Sequence, residues 1–552
     1  MSVKFTKAEL LASIDKHFPY EKFNPGQKEA IAFAVINIAA GKQHVILELP
    51  TGIGKSIVAT TIHKVLREIQ SSTWRTAVVT ATKGLQDQYV MEDKKVFSLK
   101  GKANYPCSVT AGVSYGSTDC RKNIFSGACR PAVQCEYVKT RDYWTHRAPL
   151  RLTNTAFQIK APEAMIGSRS EDNYTRANLT IIDECHMIDQ HLVDYASIVL
   201  VPEEMKRNLD GLPEYATSTY FSAFVADLSE FEVGSVLDVS AQLSEKITNL
   251  LDKVNPILDR ISAESLDRGL DGDRKSKLES LHEDLSRAVS EIKNMFDIGG
   301  EWILEEYAYA QRVKLVPIYA YQVAPVSLFS KCDQHIHMSA TICGSAEYMK
   351  TLGIDPATAV YLSMPNPIPV ENRRVYVLDA LKVSGAYDEK KLSEVVDSIV
   401  SKHRSASQNG IIHTVSFKLA EQLKERSAHK RNMLISNNRK EILNWVNSPK
   451  GKLVLSPSIE TGYDFKGDMA RYQIVAKVPF EYLGSHYVSV NLQRSPKWYA
   501  RRAILRIVQA CGRSIRGIDD WAVTYILDSN FRRLYDDNQE LFPQWFKDSV
   551  VL

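Results

Sequence analysis

Glu48-Leu49-Pro50-Thr51-Gly52-Ile53-Gly54-Lys55-Ser56 follows directly on the apolar run Val45-Ile46-Leu47. An apolar run that ends in a glycine-containing turn reads as a strand, a tight loop and the start of a helix. Such a loop turns successive backbone N–H groups toward a phosphate. Lys55 then reaches the β- and γ-phosphates, and the Ser56 hydroxyl takes a place on Mg²⁺. The full P-loop pattern wants a glycine five residues before Gly54, and Leu49 stands there. A chance glycine turn accounts for so short a motif roughly one time in ten. A partner motif has to exclude it.

The partner is Asp183-Glu184-Cys185-His186, at the end of the apolar run Leu179-Thr180-Ile181-Ile182. A carboxylate at the C-terminal end of a buried strand is where Mg²⁺ on a P-loop nucleotide needs a ligand. Asp183 suits that role, and Glu184 suits the base that polarises an attacking water. Acidic residues at strand ends are more often turn chemistry. Two such motifs in one chain make coincidence remote.

Composition sets the class. The chain has 552 residues, 44% hydrophobic and 24% charged, with a net charge of +4. That length suits about three or four globular domains. No apolar run approaches the roughly 18 residues of a membrane helix, so no membrane partner is expected. Met1-Ser2-Val3-Lys4-Phe5 lacks a signal-peptide core, and the expected compartment is the cytoplasm. The small net charge does not by itself indicate a polyanion partner.

Further segments arrive in a fixed order. Phe23-Asn24-Pro25-Gly26-Gln27 precedes the loop, with Gln27 placed to read an adenine edge through its amide. Thr76-Ala77-Val78-Val79-Thr80-Ala81-Thr82-Lys83, Leu152-Thr153-Asn154 and Met338-Ser339-Ala340-Thr341-Ile342 each end a strand. Ser458-Ile459-Glu460-Thr461-Gly462-Tyr463-Asp464-Phe465 follows Leu453-Val454-Leu455, and Gln509-Ala510-Cys511-Gly512-Arg513-Ser514-Ile515-Arg516 comes near the C-terminus. On these motifs the chain resembles the superfamily 2 helicases, and within them the XPD/DinG family of iron–sulfur helicases, across residues 23 to 531. The Pro-Thr-Gly-x-Gly-Lys-Ser form of the loop is the form used there. Two positions depart from the family pattern: Thr461 stands three before Asp464 where a glutamate is usual, and Asn24 stands where an arginine is frequent.

The resemblance implies an α/β fold of two RecA-like parallel-sheet domains, with an iron–sulfur insert and a helical arch insert in the first. It implies nucleotide contact by Gln27, Thr51, Gly52, Gly54, Lys55, Ser56 and Asp464. It implies Mg²⁺ on Ser56 and Asp183, and catalytic roles for Lys55, Asp183, Glu184, His186, Gln509, Arg513 and Arg516. Ser339-Ala340-Thr341 would couple hydrolysis to domain movement. The arginines also have a reading of their own. Arg501, Arg502 and Arg506 suggest a solvated basic face. Arg513 and Arg516, three apart beside Gly512, suit one helical face turned to a transferring phosphoryl group.

Four of the eight cysteines, Cys107, Cys120, Cys129 and Cys135, fall between the two nucleotide motifs. Disulfides are rare in the reducing cytosol, and a four-thiolate metal site is the alternative. Zinc and [4Fe–4S] both accept four cysteines. The spacing lacks the paired Cys-x₂₋₄-Cys knuckles of zinc sites, and its position resembles the iron–sulfur insert of the family. Cys185, Cys332, Cys343 and Cys511 read as small core residues. The same insert interleaves Lys102, Arg121, Lys122, Arg130, Lys139 and Arg141 with Tyr105, Tyr115, Phe125, Tyr137, Tyr143 and Trp144. That mixture favours nucleic-acid contact over ordinary surface.

Helical apolar spacing at Leu243, Ile247, Leu250, Leu251, Val254 and Leu258 recurs at Leu278, Leu281, Leu285, Val289 and Ile292. It predicts an antiparallel pair of helices at the arch position. Asn366-Pro367-Ile368-Pro369 reads as a hinge. The expected division is 1–100, 141–194 and 317–365 for the first RecA-like domain, 101–140 for the cluster insert, 195–316 for the arch and 366–552 for the second domain. The expected function is an ATP-dependent, monomeric DNA helicase acting on single-stranded and forked duplex DNA. Its 5′→3′ polarity comes from the resemblance, and the metal insert serves as a wedge. An RNA helicase of the same fold is the near alternative. A nucleic-acid clamp without turnover is the distant one, opposed by Lys55, Asp183, Glu184 and Arg513.

Overall fold

The computed structural model describes residues 5–112, 129–130, 135–160, 176–201, 212–215, 218–267, 269–306, 313–385, 387–447, 451–457, 465, 467–515 and 517–552. Two seven-stranded sheets dominate it. In the first, the strands lie in the order Ala359–Ser363, His44–Glu48, His335–Ser339, Leu179–Asp183, Thr76–Thr80, Leu150–Asn154 and Phe97–Ser98. Every pairing is parallel. His44–Glu48, Thr76–Thr80, Leu179–Asp183 and His335–Ser339 are buried along their whole length. Parallel sheets need cover on both faces, and alternate side chains supply it. Val45, Leu47 and Ile181 join the core beneath the helices Lys7–His17, Gln27–Ala39 and Lys55–Ile69. Ile46 and Ile182 join the opposite core, which continues into the helical insert.

The second sheet runs Met433–Ile435, Leu453–Ser456, Gly410–His413, Tyr472–Val475, Val523–Asp528, Val375–Leu381 and Val550–Val551, again all parallel. The expected fold of two parallel α/β units is present.

Between the units stands the expected helical pair, Ser244–Ser265 and Gly272–Ile298. Ile247, Leu250 and Val254 pack against Leu278, Leu281, Leu285 and Ile292 in one core. Asp271 caps the second helix by accepting from the Asp273 and Arg274 N–H groups. At its base lies an antiparallel sheet ordered Ile198–Leu200, Val313–Pro317, Glu301–Glu306 and Val236–Asp238. Sequence reading missed this sheet. Two of its strands have three residues each, too few for a period-2 pattern to register.

Asn366–Pro369, expected as a hinge, is anchored. Arg373 Nε donates to the Ile368 carbonyl at 2.9 Å, and Ile368 is buried with Ile515 and Ala522. Among the described residues no helix is long and apolar enough to cross a membrane. Cys185, Cys332, Cys343 and Cys511 are buried, as expected of small core residues.

Several histidines are buried without a charged partner. His44 Nδ1 meets His337 Nε2 at 3.1 Å, His63 meets Thr76 at 2.9 Å, and His413 meets Gln473 at 3.2 Å. Burial pushes His44 down to about 4, His63 to about 3, His335 to about 3 and His413 to about 4. In the unfolded chain a histidine titrates near 6.5. At pH 7 the folded chain holds all of them neutral and the unfolded chain is only partly protonated, so their contribution to pH dependence is still small. Below about 6.5 the unfolded chain takes up protons that the folded chain refuses, so stability falls until the folded values near 3 to 4 are reached. Each histidine removes about 1.4 kcal/mol per pH unit in that window. Urea midpoints should therefore drop steeply between pH 7 and 5.5, and less steeply in His63→Asn. A flat profile would show that these rings are not held neutral.

Candidate nucleotide site and domain interface

Strand register assembles the site. Glu48 pairs with Ser339, and Met338 pairs with Asp183. Three adjacent strands thus deliver the glycine loop, the Ser-Ala-Thr loop and the Asp-Glu pair to one carboxyl edge, where ligands bind in open α/β sheets. Gly52 and Gly54 hold φ of +93° and +85°, which glycine adopts without strain. Lys55 begins the following helix and Ser56 is buried in its first turn.

Lys55 Nζ lies 3.4 Å from Glu184 Oε1. Asp183 is buried; its Oδ1 accepts from the Glu184 N–H at 3.0 Å and its Oδ2 from the Tyr89 hydroxyl at 3.0 Å. Burial, then the neighbouring Glu184 charge, raises the Asp183 carboxyl. Burial also pushes Glu184 upward, but Lys55, His186 and Arg513 together hold it well below the usual carboxylate range. A cation or Mg²⁺ beside Asp183 would relieve that crowding. His186 Nδ1 stands 3.3 Å from Glu184 Oε2 and 2.8 Å from Ser339 Oγ. The hydrolytic box and the Ser-Ala-Thr loop are therefore in direct contact.

Gln27 faces the loop. Its Oε1 accepts from the Asn24 N–H at 2.7 Å and its Nε2 donates to the Ile53 carbonyl. The amide expected to read adenine is occupied at both ends here.

Across the cleft, the helix Pro496–Cys511 carries Gln509 and ends at Gly512. A Cβ on Gly512 would meet Thr51 Oγ1 of the glycine loop at 3.7 Å, an ordinary contact. Gly512 therefore marks the approach of the two units, but the approach does not require it. Arg513 lies beyond the helix end, and the helical face expected to be shared with Arg516 falls in part outside the described residues. Arg513 reaches the Glu184 region all the same, as its effect on that carboxyl shows. Arg516, Asp464 and the segment from Ser458 to Asp464 lie outside the described residues, as do Cys120, Arg121, Lys122, Tyr115 and Phe125.

The solvated basic face expected of Arg501, Arg502 and Arg506 is absent. Arg501 is 1% exposed, and its guanidinium donates to the Ile342 and Cys343 carbonyls. Arg502 and Arg506 both grip Glu481, at 2.7 and 2.9 Å. Charge counting overlooked these pairings: Arg501, and Arg502 through Asp189 at 3.9 Å, face the first unit, whereas Glu481 belongs to the second. The alternation of apolar neighbours around Arg501 was the available signal.

The insert also departs from expectation. Tyr137 and Trp144 are buried with Leu99 and Val138 in a small core, and Tyr105 packs on Tyr137 at 5.3 Å. They hold the insert together and are not free to stack bases. Among the described residues no three His, Cys, Asp or Glu side chains gather as a metal site. Of the four cysteines expected to hold a cluster, Cys107, Cys129 and Cys135 are among the described residues and Cys120 is outside them.

Comparison with known proteins agrees with this geometry. Residues 399–549 match the family model of the helicase C-terminal domain. Residues 21–209 match that of the type III restriction enzyme res subunit. Together the two matches take in well over half of the chain. The solved structure of an XPD helicase, 14% identical, superposes with a TM-score of 0.60 over 96% of this chain and 98% of that one. An apo form of XPD, 13% identical, gives 0.55 over 95% and 98%. The chain is a superfamily 2 helicase. Its likeness to XPD spans the helical insert as well as both parallel sheets. No curated protein sequence matches it. As an ATP-hydrolysing helicase it uses ATP with Mg²⁺.

Lys55 and Arg513 lie on opposite sides of the cleft and should fail differently. Lys55→Ala should abolish ATP turnover in a folded protein. Arg513→Ala should lower turnover by about 10³-fold with little change in nucleotide affinity, because a cation delivered at closure acts on developing charge. Separate measurement of nucleotide binding and turnover distinguishes them. Wild-type turnover in either variant would remove that residue from the site.

Proposed function

We propose that this helicase moves along single-stranded DNA, 5′→3′, and opens duplex at a fork. The observation that carries the reading is the approach of Gly512 and Arg513 to Thr51 and Glu184 across the cleft. ATP bound on one unit is thereby in reach of cations on the other, so hydrolysis and relative movement of the units are linked. DNA and polarity rest on the resemblance to the XPD/DinG family. In this reading Lys55 and the loop around Thr51, Gly52 and Gly54 hold the phosphates, and Ser56 and Asp183 hold Mg²⁺. Glu184, oriented by His186, polarises water. Gln509 and Arg513, with Arg516 and Asp464, complete the nucleotide pocket from the second unit, and Gln27 flanks it.

Cys107, Cys120, Cys129 and Cys135 are proposed as ligands of a [4Fe–4S] cluster. Four thiols suit a soft metal centre. The described part of the insert buries only Leu99, Tyr137, Val138 and Trp144 as its core, and so small a unit gains from a metal staple. The insert itself, with exposed Lys102 and Lys139, is proposed as the wedge.

ATP turnover should rise when single-stranded oligonucleotide is added. Binding should weaken with salt at a log–log slope of about −0.7 per phosphate contact. Binding that ignores salt, or turnover that ignores the strand, would remove the DNA-motor reading. Forked substrates labelled at either end then decide polarity.

Anaerobically purified protein should be coloured and contain iron. Cys107→Ser or Cys135→Ser should lose the iron, destabilise the insert and stop strand separation, with ATP turnover less affected. Stoichiometric zinc without iron would overturn the iron–sulfur assignment and leave the wedge standing.

A further inference from the structure

Arg501 holds an unusual position. It belongs to the helix Pro496–Cys511 of the second unit, yet its guanidinium is buried against the first. Nε donates to the Cys343 carbonyl at 3.1 Å, and Nη2 to the Ile342 carbonyl at 3.0 Å. These two peptides directly follow Ser339-Ala340-Thr341. Cys343 has φ of +55°, a left-handed conformation that a non-glycine residue holds only when its surroundings impose it. Arg501 is part of what imposes it.

The Ile342 peptide is fixed from the other side too. Its N–H donates to Glu48 Oε1 at 2.6 Å. Glu48 is buried, and its second oxygen accepts from Tyr361 at 2.6 Å and Ser363 at 2.9 Å. Glu48 is also the residue from which the glycine loop departs. One residue therefore joins the loop strand through its N–H and the second unit through its carbonyl. Just before it, Thr341 and Ser339 bond each other, and Ser339 meets His186.

The counter-charge is Asp189, on the helix that follows the Asp-Glu box. Asp189 Oδ2 lies 3.6 Å from Arg501 Nη1 and 3.9 Å from Arg502 Nη1. Neither Asp189 oxygen nor Arg501 Nη1 has a hydrogen-bond partner among the described residues. Two buried opposite charges just beyond bonding distance gain from any movement that closes the gap, because burial strengthens their attraction and penalises their lack of partners.

We propose that Arg501 is the positioning residue that carries movement of the second unit into the Ser-Ala-Thr loop, with Asp189 as its charge partner. Rotation of the helix Pro496–Cys511 draws the Ile342 and Cys343 carbonyls with it. The pull reaches Glu48 through the Ile342 N–H and His186 through Ser339. The loop that holds phosphate and the residue beside the hydrolytic carboxylate then shift together. Arg501 touches neither nucleotide nor strand. The inference rests on the reading that a bound strand drives the movement.

The test compares wild type with Arg501→Lys, Arg501→Gln, Asp189→Asn and the double variant Arg501→Gln/Asp189→Asn. Turnover and KM for ATP are measured with and without a poly(dT) oligonucleotide, beside thermal midpoints. The double variant leaves no unpaired buried charge and keeps the test meaningful if a single variant folds poorly. Expected in the glutamine and double variants is a loss of at least about tenfold in strand-stimulated turnover. Basal turnover, KM for ATP and oligonucleotide affinity should each stay within about threefold. Lysine should restore part of the stimulation, since a point charge does not span two carbonyls as the guanidinium fork does. Wild-type stimulation in the double variant would overturn the inference. So would an equal fall in basal and stimulated turnover, which marks a merely structural residue. No stimulation in wild type would overturn the strand-driven reading and the inference with it.

Discussion

The parallel pairing of His44–Glu48, His335–Ser339 and Leu179–Asp183 is the constraint on which the rest depends. Parallel strands in register end at one level, so three loops distant in sequence are neighbours in space. Glu48 and Ser339 sit side by side because their strands pair residue for residue. The site needs no further device to bring Lys55, Glu184, His186 and Ser339 within a few ångströms. A register shift of one residue would turn these side chains to the other face of the sheet and disperse the site.

The second unit acts on this edge through one helix. Its apolar residues, Ala503, Ile504, Ile507 and Val508, anchor it to its own sheet. Of its arginines, Arg501 reaches into the first unit, where it meets the Ile342 and Cys343 carbonyls and, with Arg502, faces Asp189, while Arg502 and Arg506 hold Glu481 of their own unit. Arg494 of the preceding helix adds a paired contact to Glu301 at the base of the helical insert. That contact raises the Arg494 guanidinium further above its ordinary range. Cys343 of the first unit also packs into the second unit's apolar core, so the interface combines these polar contacts with an apolar one.

Much of this was legible in the sequence, for physical reasons. The glycine loop and the Asp-Glu box were readable because their chemistry needs fixed residue types at fixed spacing. The helical pair was readable because Leu278, Leu281, Leu285 and Ile292 repeat at helical intervals over a long run. Other features were not. Arg501 looked like a surface charge because composition carries no record of which helix face meets another unit. The bonds of Gln27 to Asn24 and Ile53 were not legible either, because they depend on the loop closing over it. The strands Ile198–Leu200 and Val236–Asp238 were too short for periodicity to show.

The insert shows how one residue type serves two ends. Aromatic residues among cations suggest a surface for bases, yet burial decides the matter. Trp144 donates from its indole N–H to the Leu152 carbonyl at 3.1 Å and lies edge-on to Phe157. Tyr105 uses its hydroxyl to accept from the Lys100 N–H at 3.1 Å. Each ring ties the insert to the strand Leu150–Asn154 or to the segment leading into it, so the insert is fastened to the sheet by its root. The described part turns Lys102, Arg130, Lys139 and Tyr143 outward, together with Glu136 and Asp142. On the proposed reading, cations at such a surface would meet backbone phosphates more than bases and hold a strand without choosing its sequence. Sequence-blind holding is what a motor needs, since it must grip every nucleotide it passes.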